Sequence, residues 1–498
     1  MRWKRGRRVD DGVPVPRSRL RLVLRVALTI AVVGVVAAGA LVAADRTDRC
    51  DGQADVREED GQCVGVTAAL SDFDRSELAD VVGRIARANA EAESDDQHVS
   101  VAVFLPMTPA ADGLVPIEWV RHQLQGAYQA QADHNRNSRP RVRLLLANPG
   151  GRVEHWERVV EELDRRRDGP DHLVAVTGIG LSLDNARAAM RRLSELRIPM
   201  VGSTITADDL DRIPGLLRPA PTNRRQAAAA ASYVKATGAS TALLVVDTDT
   251  DDLYPRTLAD AFRAQFDDDA HRVLSHEQQY DSSLDGVNSA FALMLPNICA
   301  TDADVVYFAG RGQDLALFIG QLGSRVCQDR AVSIVTADDV AATLFHTEEV
   351  RAGLASGVTV IYTDLAHPGA WAADAARPSA ERAFADSAIS RFVGVGESTV
   401  CFRCVFPEES LDDGAAIMAH DAVLTVTTAL QKTSGSSARR VKPTELLQTF
   451  NALNGENAVV GSSGMLSYDN SGTVERKVVP VLRLREDGTT EFLHLESR

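Results

Sequence analysis

Chemistry needs convergent groups, and several stretches of this chain raise the possibility. Gly178-Ile-Gly180 and Gly310-Arg-Gly312 each follow a strand-like run, as in loops that hold a dinucleotide. Both lack the third glycine at the required spacing, so a phosphate-cradling turn is incomplete. Asp247, Asp249, Asp251 and Asp252 begin like a calcium loop. The glycine at the sixth position and the glutamate at the twelfth are missing. Cys401 and Cys404 have CxxC spacing, but no second CxxC and no nearby histidine cluster support zinc. No strand-to-helix context supports redox chemistry there. No GxSxG, HExxH or Walker pattern occurs, and His276-Glu277 is not followed by a second histidine at zinc spacing. Nothing assembles a nucleophile, a base and an oxyanion hole, so the chain is not expected to be an enzyme. No metal and no cofactor are expected. What remains are hydroxyls, acids and one tyrosine after strand-like runs, a set suited to binding.

The elements that must position these groups alternate regularly. Apolar runs at 99–105, 142–147, 173–177 and 200–202 alternate with amphipathic stretches at 117–132, 154–166 and 184–196. A second series follows. Its helices are expected at 223–236, 254–266, 284–295 and 313–322, and its strands at 242–246, 272–278, 305–309, 332–336 and 357–362. Strands of about 4–8 residues between helices of about 12–16 are the mark of βαβ units in parallel sheets. Helices are expected again over 378–392, 413–430 and 443–453, then a loop at 434–441. A hairpin-like end follows at 464–469 and 477–484. The fold class is therefore α/β, two αβα lobes with parallel sheets. Lobe 1 is placed at 98–217 with 364–440, and lobe 2 at 218–363 with 441–498.

Charge is distributed unevenly. The chain has 498 residues and a formal charge of −15, which argues against nucleic acid as a partner. Residues 1–25 nevertheless carry Arg2, Lys4, Arg5, Arg7, Arg8, Arg17, Arg19, Arg21 and Arg25 against Asp10 and Asp11. The uncharged run 26–44 follows, and as a helix it would rise roughly 28 Å, about one bilayer core. Positive residues stay inside, so 1–25 reads as a cytoplasmic tail, 26–44 as a signal-anchor transmembrane helix, and the remainder as extracellular. A cleavable signal peptide is the rival reading, with Val42-Ala43-Ala44 at the cleavage site. Residues 45–97 are polar and acidic and read as a stalk and linker, with a helix over 76–90. Six cysteines fit an oxidising compartment. Pairing of near neighbours, Cys50 with Cys63, Cys299 with Cys327 and Cys401 with Cys404, is the first expectation among about 15 connectivities.

Residues 174–210, VAVTGIGLSLDNARAAMRRLSELRIPMVGSTITADDL, present a strand, a Gly/Ser turn, a helix, an "IP-strand" and a Ser/Thr-rich loop. Further stretches follow in order: RPAPTNRRQ at 218–226, VVDTDTDDLY at 245–254, ADVVYFAG at 303–310, MAHDAV at 418–423 and GMLSYDNSG at 464–472. Together they resemble the type I periplasmic binding proteins of the branched-chain amino-acid family, over about residues 98–485. The resemblance implies two lobes that close by hinge motion on a small amino-acid-like solute. It implies an ABC permease and ATPase as partners. In it Thr206 matches a carboxylate-binding threonine, and the Ile205 and Thr206 backbone faces the ammonium. Asp338, or its neighbour Asp339, matches the acidic partner of that ammonium, and Tyr254 a ring that covers the ligand. Ser182, where a strand gives way to a helix, suits an anion through its hydroxyl and the helix N-terminus. It suits a plain N-cap as well. Arg311 departs from the aromatic residues usual in that place, which points to an additional anionic group on the ligand. A membrane-anchored sensor working through a partner signalling protein, and a degenerate scaffold without ligand, are the alternative readings.

Overall fold

Strands form where aliphatic and β-branched residues run together, and here they build two sheets. The computed structural model describes residues 50, 55–69, 71, 73–95, 97–110, 113–340, 347–378, 382–395, 400–435 and 441–496. The expected tail and transmembrane run at 1–44 lie outside these residues. Among the described residues no helix is long and apolar enough to cross a membrane.

The first sheet holds Val56–Glu59 (β1), Gln62–Thr67 (β2), Val99–Phe104 (β3), Val142–Asn148 (β4), Leu173–Gly178 (β5), Met200–Gly202 (β6) and Leu216–Leu217 (β7). Its order is β1-β2-β4-β3-β5-β6-β7. The second holds Thr241–Asp247 (β8), Arg272–Val273 (β9), Gln278–Tyr280 (β10), Val305–Ala309 (β11), Val332–Thr336 (β12) and Val358–Thr363 (β13). A small separate hairpin joins Val459–Val460 (β14) to Met465–Leu466 (β15). Val479–Leu484 (β16) and Thr490–Glu496 (β17) complete the second sheet, in the order β10-β8-β11-β12-β13-β16-β17, with β9 also on β8. Every residue of β3, β4 and β5 is buried, as expected for strands with both faces covered.

Helices fill the connections. They are Ala79–Glu93 (α1), Ile117–Asn137 (α2), Trp156–Arg167 (α3), Asp184–Glu195 (α4), Asn223–Ala236 (α5), Leu253–Phe266 (α6) and Val287–Ala300 (α7). Gly312–Leu322 (α8), Glu348–Ala355 (α9), Pro368–Ala375 (α10), Ala385–Phe392 (α11), Phe402–Val405 (α12), Ala415–Ser434 (α13) and Pro443–Phe450 (α14) follow. The longest two, α2 and α13, meet at Gly126. A Cβ built there would stand 2.0 Å from the Ala416 carbonyl oxygen, so only glycine allows this approach.

Several expectations are corrected. The sheets are mixed: β1–β2, β2–β4, β13–β16 and β16–β17 are antiparallel. Much of the expected stalk belongs to the first sheet. The run QCVGVT is almost wholly buried because β2 covers the β4 edge, and α1 packs beside it. The strand expected over 272–278 is two short pieces, since the polar Ser275-His276-Glu277 leave the β8 ladder. The helix expected over 378–392 begins only at Ala385. There the Asp374 carboxylate accepts the N–H groups of Ala383, Phe384 and Ala385 at 3.0, 3.1 and 3.0 Å and so starts the helix. The hairpin expected from 464–469 and 477–484 does not form, because the apolar β16 pairs with β13 and β17 instead. α14, expected with the second lobe, packs on α13 and β5.

Cys299–Cys327 and Cys401–Cys404 are disulfides, and Cys50 and Cys63 are both disulfide-bonded.

Candidate functional site

Ordered along the chain, the parallel strands of each sheet run 2-1-3-4-5: β4-β3-β5-β6-β7 in one and β10-β8-β11-β12-β13 in the other. In this arrangement the first and third strands are neighbours. The connections leaving their carboxyl ends diverge to opposite faces, and the crevice between them is where open α/β sheets bind ligands. The switch points are β3/β5 and β8/β11. The loops that leave them touch. Leu183 and Asp252 form an antiparallel bridge. The Leu253 N–H donates to the Ser182 carbonyl at 3.0 Å, and the Asp184 N–H to the Asp251 carbonyl at 3.0 Å.

Ser182 is buried and does not cap its own helix; the residue before α4 is Leu183, which makes no side-chain cap. Its Oγ instead accepts the N–H groups of Thr206 and Ala207, at 3.1 and 3.2 Å. A hydroxyl has two lone pairs and one proton. With both lone pairs taken, the O–H is left as a fixed donor. Thr206 is buried beside it, and its carbonyl accepts the Asn223 N–H at 2.8 Å. The Ile205 side chain turns away onto Gly202, where a Cβ would lie 2.4 Å from Ile205 Cδ1. Asn223 continues the chain of contacts, donating to the Tyr254 carbonyl at 3.0 Å and to Thr257 Oγ1 at 2.8 Å.

Tyr254 is buried, and its ring carries the Arg311 guanidinium 4.6 Å from the centroid. Arg311 in turn donates through Nε and Nη2 to Asp252 Oδ2 and Oδ1, at 2.6 and 2.8 Å. Asp339 lies 3.5 Å from Nη1. Burial works against its charge, but the Asp252 and Asp339 carboxylates hold the guanidinium well above its ordinary value. The sequence expectation of Arg311 awaiting an acidic group thus meets a different geometry. Its cation is already answered by Asp252, which also caps α6 by accepting the Tyr254 N–H at 3.0 Å. Asp338 accepts from Gln226 Nε2 at 2.6 Å, and Gln226 Oε1 accepts from Thr363 at 3.0 Å. Burial and the neighbouring Asp339 charge push Asp338 up to about 6.

The structure therefore brings Ser182, Thr206, Tyr254, Arg311 and Asp338 into one connected region, with Ile205 behind it. Sequence reading missed several members. Asn223 and Gln226 lay in the crossing segment without an assigned role. Asp252 was absorbed into an aspartate run, although its place two residues before Tyr254 is an N-cap signal. Trp119 is a further member. It lies over Gly180, where a Cβ would stand 2.5 Å from its ring, and it is partly exposed.

A second polar cluster stands on α2. His122 Nδ1 contacts Asp413 at 2.6 Å and Nε2 contacts Glu409 at 3.1 Å. Glu118, His122 and Glu409 have their ligand atoms within 4.8 Å of one another, as a metal site would. Despite its burial, the Asp413 and Glu409 carboxylates push His122 up to about 10. The imidazole then pairs as a cation with both carboxylates, and Arg121 Nε sits 3.0 Å from Glu409. The cluster is an ion-pair clamp between α2 and the 409–413 segment.

No family model and no curated protein matches the chain. Solved structures do. A leucine-binding protein, LivK, of Thermotoga maritima is 19% identical, with a TM-score of 0.60 over 80% of this chain and 99% of its own. A substrate-binding protein of an ABC transporter from Desulfitobacterium hafniense, in complex with Leu, is 16% identical with a TM-score of 0.59 over 80% and 100%. A solute-binding protein from R. palustris in complex with 4-hydroxybenzoate is 14% identical with a TM-score of 0.57 over 80% and 97%. The two sheets of like strand order, meeting at their switch points, are those of a type I periplasmic binding protein, and the chain has that fold.

Proposed function

We propose that this protein is an extracytoplasmic solute-binding protein that captures a small amino-acid-like ligand between its two lobes and presents it to an ABC-type permease and its ATPase. The carrying observation is the contact between the two switch points, with the Ser182 O–H left as a donor beside Thr206, while Asp338 follows β12 of the second sheet and accepts from Gln226. A carboxylate would take the hydroxyls and an ammonium the acid. Binding would shift an open/closed equilibrium that a permease can read. The disulfides support an oxidising location, and the 26–44 run supports a tether with the N-terminus in the cytoplasm. No catalytic role is assigned. Thermal-shift screening of the purified chain with amino acids, amides and aromatic acids tests the reading. A stabilising solute is expected; a panel without one would sink it.

A second reading has its own observation. Arg311 is taken up by the Tyr254 ring, and the Leu183–Asp252 bridge joins the two switch-point loops through the protein's own groups. A scaffold without ligand would look the same. Freed solute in the denatured protein, detected by mass spectrometry, would rule it out.

A further inference from the structure

Two polar hollows on the first part of the chain differ in charge. One, of about 700 Å³, is lined by Arg57, Arg158, Arg165 and Arg166 and by four carboxylates, among them Glu162 and Asp171. Cations and anions there are equal in number, so the hollow is neutral within itself. The other, of about 370 Å³, lies between α1 and α2. Arg84, Arg87, Arg136 and Arg141 line it, and Glu91 is the one carboxylate among its described lining residues. A chain of formal charge −15 thus gathers four guanidiniums around one cavity. Its size is that of a small-ligand site.

The sequence spacing makes the hollow. Arg84, Ala88 and Glu91 share a face of α1, and Tyr128, Ala132 and Asn135 share a face of α2. The two alanines are short, so space opens between the longer side chains. Phe406 holds two of these: the Arg84 guanidinium stands 5.2 Å over its ring, and Tyr128 meets it edge-on at 6.0 Å. Arg141 immediately precedes β4 and donates through Nη1 to the Glu91 carbonyl at 3.1 Å. The hollow therefore lies toward the amino ends of the strands, away from the cleft at their carboxyl ends.

Several donors in it are unspent. Arg87 is exposed and makes no hydrogen bond or ion pair among the described residues. Arg141 Nη2 makes no hydrogen bond among them either. The Asp95 carboxylate is 3.8 Å from Arg141 Nε and is held by Arg139 at 2.6 Å. The half-buried Tyr128 contributes a hydroxyl that bonds to none of the described residues. Arg84 pairs with Asp80 at 2.9 Å and Arg136 with Asp133, both within reach of solvent, where such pairs are weak.

We propose that this hollow binds a phosphate group, with Arg87, Arg141 Nη2 and the Tyr128 hydroxyl as donors and Arg84 and Arg136 adding charge. A phosphate brings several acceptor oxygens and close to two charges. Guanidinium forks meet such a group two bonds at a time, which a lone carboxylate cannot offer to several forks at once. The site lies apart from the solute cleft and does not depend on what fills it.

Isothermal titration calorimetry of the whole chain with pyrophosphate and inorganic phosphate, against nitrate at equal ionic strength, is the test. Flotation with phosphatidylglycerol and phosphatidylcholine vesicles is its second arm. Pyrophosphate is expected to bind about ten-fold or more tightly than nitrate, and to weaken several-fold as salt rises. Arg87→Gln removes an exposed, unpaired side chain, so the fold should stand; it and Arg141→Gln should each cut the affinity about five-fold or more. Arg165→Gln, in the balanced hollow, should leave it unchanged. Binding to phosphatidylglycerol vesicles alone, lost in Arg87→Gln, would keep the site and make a lipid headgroup the source of the phosphate. Pyrophosphate no tighter than nitrate together with no vesicle binding, or binding that both variants leave unchanged, overturns the proposal.

Discussion

At the scale of single residues, the molecule depends on how each charge is answered. The His122 cation sits between Glu409 and Asp413, and Arg311 between Asp252 and Asp339. Removing one partner of such a pair strands the other, at a cost of about 3–5 kcal/mol when fully buried and less where, as at Glu409, water reaches the pair. For His122→Gln we expect a loss of about 2–4 kcal/mol in urea unfolding at pH 6. The pH dependence has a definite sign. His122 titrates higher in the folded chain, near 10, than in the unfolded one, near 6.5. Its contribution is complete below about 6.5 and is lost as pH rises through 10. The gap between wild type and variant should therefore narrow between pH 6.5 and 10; a constant gap would refute the clamp. Ser182 shows what residue reading can and cannot reach. Its place after a strand and before a helix left it open as a binding hydroxyl or as an N-cap. That its Oγ serves residues 206 and 207 instead of its own helix depends on a loop 24 positions away, which no local spacing reports.

At the scale of elements, close approach decides which helices can meet. α2 and α13 cross at Gly126, with no room for a Cβ against Ala416. Gly126→Ala should destabilise the chain by about 1–3 kcal/mol, the usual cost of overpacking, although alanine is the better helix former. A circular-dichroism melt reads this, and an unchanged or higher midpoint would contradict the packing. Element reading from sequence worked where periodicity was strong. The β3, β5, β8 and β12 runs and α5 lie where the alternation places them. It failed for β1, β2 and β17, whose half-polar sequences resemble linker. β1 and β17 pair with their chain neighbours β2 and β16 across short turns, whereas β2 is held as a strand by β4, an edge far along the chain. The β2–β4 pairing is non-local, so composition near the strand carries little of it.

At the scale of the whole molecule, the two sheets communicate through the crossing segments and through the contact of their switch points. Arg218 joins two crossings, its N–H donating to the Gly472 carbonyl at 2.7 Å and its side chain reaching Thr473 at 3.0 Å. Asp252 is tied across the cleft to Leu183 and, within its own lobe, to Arg311. Arg311→Met should leave Asp252 without its cation and weaken the Leu183–Asp252 contact between the lobes. Small-angle scattering of the ligand-free variant is expected to give a larger radius of gyration than wild type, and an unchanged radius would show that this pair does not hold the lobes. The sequence by itself determined the alternation of strands and helices, hence two α/β series, their resemblance to a binding-protein fold, the near-neighbour pairing of Cys299 with Cys327 and Cys401 with Cys404, and the acidity of the region after residue 45. These follow from local periodicity, short spacings and composition. Only the tertiary structure decided that Arg311 is answered by Asp252, 59 positions earlier. Electrostatic meaning depends on distance in space, and strand order, not chain order, sets which ends lie together.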